Sequence, residues 1–156
     1  MRFDPEKHHR RSIRLPEYDY AGPGAYFVTI CTQGRVCLFG EVVNHTMVPN
    51  DAGRMLQTAW DELPDRFPGV DIDAFVVMPN HIHGIIALTA PVGAPLVGAQ
   101  SSAAMEIGVG TAGQGATTRV APTLGDVVGA YESLTTVEYV RGVKPMGWQA
   151  FPGRLW

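Results

Sequence analysis

Apolar positions along the chain switch between two spacings. AYFVTICT (Ala25–Thr32) is rich in β-branched and aromatic residues and predicts a strand. Gln33-Gly34-Arg35 predicts a turn, and VCLFGEVV (Val36–Val43) predicts the returning strand of a hairpin. From Pro49-Asn50-Asp51 the spacing becomes helical. Asn50 is a candidate N-cap, and Ala52, Met55, Leu56, Ala59 and Leu63 follow the i, i+3, i+4 rule until Pro64 and Pro68. VDIDAFVVM (Val70–Met78), the turn Pro79-Asn80 and HIHGIIAL (His81–Leu88) predict a second hairpin. Thr123 then caps a second helix, with Asp126 completing a capping box. Leu124, Val127, Val128, Tyr131 and Leu134 form its apolar face, and Gly142 and Pro145 end it. Gly125 and Gly129 inside that helix predict close packing against another backbone, because glycine there otherwise costs about 1 kcal/mol. The order strand, strand, helix, strand, strand, helix predicts an α+β domain, an antiparallel β-sheet flanked by helices.

Composition divides the single domain, residues 1–156, into four parts. Residues 1–24 are an irregular basic arm, with five of the twelve Lys and Arg in its first fourteen positions. Residues 25–88 hold the sheet core and first helix. Residues 89–121 contain six glycines and eight alanines, and Glu106 and Arg119 are their only charges; this predicts a flexible insertion without chemistry. Residues 122–156 carry the second helix and a tail ending at Trp156 with no closing element.

The net charge of −3 by itself argues against a nucleic-acid binder, but the basic arm on an acidic body leaves that open. No apolar run approaches the ~20 residues of a membrane span, and the polar N-terminus is not a signal peptide. The expectation is a cytoplasmic protein with no membrane partner. Cys31 and Cys37 are then expected as free thiols.

The chemistry-bearing candidates are His81 and His83. In a strand they project from one face, about 6.5–7 Å apart at Cα, while Ile82 and Ile86 occupy the other. Imidazoles so spaced can converge on one metal ion, though most sites need a third protein ligand. Gly84 is expected to keep the approach clear. Taken alone, a His-x-His pair is a weak signal and more often marks an exposed polar strand face.

SIRLPEYDYAGPGAYFVTICTQGRVCLFGEV, then DRFPGV, then FVVMPNHIHGII occur in this order. In these segments the chain resembles the REP-associated tyrosine transposases, single-tyrosine HUH transposases of bacterial insertion sequences. The resemblance covers residues 10–88 closely and 122–156 more loosely. It implies a ferredoxin-like or RRM-like fold, a homodimer, and His81 and His83 as ligands of Mg²⁺ or Mn²⁺. It also implies single-stranded DNA with a hairpin as substrate, cleaved and transferred through a 5′-phosphotyrosine. Lys7, Arg10, Arg11 and Arg14, with Arg35, become candidate DNA contacts.

The family's nucleophilic tyrosine, and usually its third metal ligand, lie on a helix beyond the segment resembling Gly153–Trp156, so the resemblance assigns neither role here. Tyr131 is expected to pack, Tyr139 is less constrained, and Tyr18, Tyr20 and Tyr26 are expected in packing or DNA contact. Without that helix, Trp148 and Trp156 are expected in an exposed apolar patch. Two alternatives stay open: a catalytically inactive remnant that binds hairpin DNA without cleaving it, and a hydrolase pairing the histidines with Asp71 or Asp73.

Overall fold

The structure is a computed structural model, described here for residues 17–20, 22–89 and 121–156. It is α+β. Strands β1 (Gly24–Cys31), β4 (Val70–Met78) and β5 (His81–Leu88) form an antiparallel sheet in the order β1-β5-β4. Strands β2 (Gly40–Val43) and β3 (Thr46–Pro49) form a separate two-stranded ribbon. Helices α1 (Asp51–Asp61), α2 (Leu63–Arg66) and α3 (Leu124–Val143) complete the domain. Among the described residues no helix is long and apolar enough to cross a membrane.

The β4–β5 hairpin forms as its alternating pattern predicts, with Met78 opposite His81 and Val70 opposite Leu88. The first expected hairpin does not form. β1 pairs instead with β5 along its whole length, from Gly24 opposite Leu88 to Cys31 opposite His81. The segment after β1 is captured by the Pro79-Asn80 turn: Leu38 N and Phe39 N both donate to Pro79 O, at 2.8 and 3.0 Å. Leu38 and Phe39 are buried there, so the chain cannot run back beside β1. Residues Gly40–Val43 find their partner in Thr46–Pro49 across Asn44 and His45. Both turn residues have positive φ, 48° and 64°, as a primed two-residue hairpin turn requires.

α1 and α3 pack together over one sheet face. Burial alternates along β5: Ile82, Gly84, Ile86 and Leu88 are inside. Trp60 stacks on Phe75 at 4.6 Å and meets Tyr131 edge-on at 5.5 Å. Leu56, Ile82, Ile86 and Val127 fill the space around them. Asn50 caps α1 as expected: its Oδ1 accepts from Gly53 N at 2.9 Å, and its Nδ2 donates to Leu38 O at 3.0 Å. α3 carries the Thr123–Asp126 capping box. Neither Gly125 nor Gly129 packs against another backbone as expected. Gly125 is exposed and a side chain at Gly129 would meet nothing within 4 Å, whereas Gly142 is covered by the Trp148 ring.

The tail also departs from expectation. Leu155 is buried, and its carbonyl accepts from Gln33 N at 2.9 Å. The Trp156 indole packs on Phe39 at 5.2 Å and donates to Thr135 Oγ1 at 3.0 Å. Trp148 lies against Tyr139 at 5.3 Å. The two tryptophans therefore close the core and do not form an open apolar patch.

Candidate functional site

The other face of the sheet carries no described helix. Thr29 and Cys31 of β1, His81 and His83 of β5, and Val76 and Met78 of β4 meet there by strand register. His81 and His83 do share this face, half-buried, with ring centroids 4.7 Å apart and planes at 81°. Ile82, between them, is fully buried on the opposite side. Gly84 points inward with Ile82. A Cβ at Gly84 would strike the Trp60 indole, so this glycine serves helix–sheet packing and does not clear an approach to the histidines.

Each imidazole is held through Nδ1. His81 Nδ1 lies 2.7 Å from Asn80 Oδ1, and His83 Nδ1 lies 2.7 Å from Thr29 Oγ1. The Asn80 amide is itself oriented, because its Nδ2 donates to Arg35 O at 3.1 Å. Its Oδ1 can only accept, so His81 carries its proton on Nδ1 and presents the Nε2 lone pair. The Thr29 hydroxyl can donate or accept and is compatible with the same tautomer of His83. Holding a ring by its second nitrogen is how metal-ligating histidines are commonly aimed.

Burial lowers the pKa of His81. The neighbouring His83 and the positive charge of Arg35 lower it further. Arg35 follows β1 in a short 3₁₀ turn, Gln33–Arg35, so the one described member of the proposed DNA contacts lies close enough to His81 for its charge to act on that ring. Lys7, Arg10, Arg11 and Arg14 lie outside the described residues.

The two imidazoles could supply two ligands to a metal ion. Cys31 is a free, exposed thiol opposite His81, as Cys37 is farther on. Among the described residues, however, no three His, Cys, Asp or Glu side chains are gathered as a metal site. A metal ion at the pair would need its remaining donors from elsewhere. Nitrogen donors match a transition ion better than Mg²⁺, which prefers oxygen. Asp71 stands opposite Ala87, about 20 Å along the strand from His81. Asp73 is only two residues nearer, so neither carboxylate completes the site.

The described tyrosines do not accompany the histidines. Tyr131 and Tyr139 are buried on the covered face; their hydroxyls donate to Leu56 O at 3.1 Å and Gln149 O at 2.9 Å. Burial pushes both pKa values up, and the charge of Asp61 adds to the effect at Tyr131. Tyr18, Tyr20 and Tyr26 cluster at the Gly24 end of β1, while the histidines lie at its Cys31 end.

Sequence reasoning missed Asn80 and Thr29. Asn80 read only as a turn residue, although its place directly before His81 was a usable signal. Thr29 was invisible because the expected register paired β1 with the wrong segment.

No protein-family model matches the chain. An uncharacterized protein of Haemophilus influenzae is 52% identical over 81 residues, covering 52% of this chain and 45% of that protein. The chain thus spans just under half the length of the curated relative it matches.

Proposed function

We propose that this chain is a transposase-type DNA-binding protein that holds a phosphate of single-stranded, hairpin-bearing DNA at His81 and His83 for strand transfer through a tyrosine. The observation that supports the reading most is the pair itself: two imidazoles on an open sheet face, each oriented through Nδ1, with Arg35 alongside. The resemblance in three ordered sequence segments supports it independently.

A divalent ion bound there would offset charge on the phosphoryl oxygens and orient the scissile group. The chain's own residues would hold and orient that group. His81 and His83 offer nitrogen lone pairs, Asn80 and Thr29 fix the rings, and Arg35 attracts the phosphate. In the transfer step a tyrosyl oxygen–phosphorus bond forms as the bond from phosphorus to O3′ breaks. The products are a 5′-phosphotyrosine and a free 3′-OH. A homodimer, cytoplasmic placement and phosphate contacts from Lys7, Arg10, Arg11 and Arg14 belong to the same proposal. A second reading, hairpin binding without cleavage, is favoured by the distance of the described tyrosines from the pair.

Fluorescence anisotropy tests both readings. A labelled hairpin oligonucleotide with a single-stranded flank is expected to bind more tightly than the corresponding plain duplex, with affinity falling as salt rises. Mn²⁺ is expected to strengthen binding to the wild type but not to His81→Ala/His83→Ala. Equal affinity for the two DNAs, or the same Mn²⁺ response in the double variant, would remove the DNA and metal roles respectively.

A further inference from the structure

Phe27 lies on the same open sheet face as the histidines. It is 69% exposed although it sits mid-strand between Tyr26 and Val28, in a position that alternation alone would give to a polar residue. Its ring stacks on His83, with centroids 5.3 Å apart and planes 23° from parallel. The strand register places Ile85 opposite Phe27 and Thr29 opposite His83. Val76, 44% exposed, flanks His83 from β4.

We propose that Phe27, backed by His83, is a stacking platform for one nucleobase of single-stranded DNA whose neighbouring phosphate lies at the histidine pair. The proposal rests on the DNA reading given above and assigns a base-binding residue to the same site. Three observations direct it to a nucleobase. The exposed aromatic is already in a parallel stack, the geometry a flat π-ligand extends. It adjoins His83, so one nucleotide can meet an aromatic surface for its base and the histidine pair for its phosphate. Among the described residues Phe27 is the most exposed large apolar side chain on this face, with Val76 also exposed and Ile85 half-buried opposite it. Stacking of this kind is indifferent to base identity, because every base has a π-face.

The test compares the wild type with Phe27→Ala, Phe27→Leu and Phe27→Trp. All four bind the labelled hairpin with a single-stranded flank, and a series of flanks each carrying one abasic position. Base stacking contributes about 1–3 kcal/mol, so Phe27→Ala is expected to weaken binding about 5- to 150-fold. Phe27→Leu, apolar but without a π-face, is expected to stay weak, and Phe27→Trp to restore binding. One abasic position is expected to cost the wild type as much as Phe27→Ala does, and to cost the Phe27→Ala variant nothing further. The tryptophan in Phe27→Trp should be quenched by DNA.

Wild-type binding with Phe27→Ala within twofold of it would overturn the platform while leaving the DNA reading intact. Absence of wild-type binding would overturn both. If Phe27→Ala instead dissociates a dimer in sedimentation without altering DNA affinity, the ring is a contact between copies and the proposal is wrong. Because Phe27 is exposed, its variants should melt within a few degrees of the wild type, which separates lost binding from lost folding.

Discussion

Gly84 lies directly beneath the Trp60 indole, so close that a Cβ would overlap Cζ2 and Cη2 and stand 3.0 Å from Cε2. The central strand and α1 therefore approach as nearly as the backbone permits, at a position flanked by His83 on the other face. Gly84→Ala must either move the indole or displace β5. Overpacking of this kind typically costs about 1–3 kcal/mol. A loss in that range is expected in urea denaturation, accompanied by a changed Trp fluorescence maximum. Unaltered stability would mean that α1 is not packed on β5 as described.

The orientation of His81 by Asn80 gives a separate expectation. Asn80→Ala removes the acceptor for His81 Nδ1–H and the donor to Arg35 O together. Loss of an orienting partner typically weakens metal binding about 10–100-fold. Titration calorimetry with Mn²⁺ and Zn²⁺ should show that loss, and the wild type should bind Zn²⁺ more tightly than Mn²⁺, following the usual preference of nitrogen sites. Asn80→Asp keeps an acceptor and adds negative charge, so it should retain more affinity than alanine while raising the His81 pKa.

The lowered pKa of His81 sets the direction of its pH dependence. Unfolded, the imidazole titrates near 6.5. Folded, it stays neutral to lower pH, because burial, then His83, then Arg35 disfavour the cation. As pH falls below about 6.5, the unfolded chain takes up a proton before the folded one does, so this group reduces stability until the folded pKa is passed. Above about 6.5 it contributes no slope. NMR titration of His81 should place its midpoint below that of an exposed histidine, and Arg35→Ala should raise it only in part, since burial is the larger cause. A midpoint at or above the ordinary value would contradict the electrostatic arrangement of the pair.

The sequence made the β4–β5 hairpin and the histidine face legible because both rest on local alternation across a two-residue turn. Asn50 and Thr123 were equally legible as caps, since a cap is decided within four residues. The pairing of β1 was not. Its register depends on Leu38 N and Phe39 N finding Pro79 O, some forty residues away. The Asn44-His45 turn lacks the glycine that usually signals a primed turn, so the ribbon went unseen. The glycines of α3 misled because propensity cannot say which of them faces a neighbour: Gly142 does and Gly129 does not. Trp156 read as a loose end because its partners, Phe39 and Thr135, are remote in sequence.

The last expectation concerns catalysis. Covalent capture of DNA requires a tyrosine whose hydroxyl reaches the phosphate over His81 and His83. Tyr131 and Tyr139 are on the covered face with their hydroxyls engaged by Leu56 O and Gln149 O, and burial opposes the tyrosinate that attack would need. Tyr26 donates to Gly22 O at 2.7 Å and points inward at the far end of β1. Incubating the 156-residue chain with a labelled hairpin oligonucleotide and Mn²⁺ should therefore give no band that survives denaturation. Adding in trans, or fusing after Trp156, a tyrosine-bearing helix from a REP-associated transposase should produce one, and His83→Ala should abolish it. A covalent band from the unextended chain would show that a tyrosine can reach the open face after all. Replacing Tyr18, Tyr20, Tyr26, Tyr131 and Tyr139 one at a time with Phe would then identify it, and a band lost only in Tyr131→Phe would require α3 to leave the sheet.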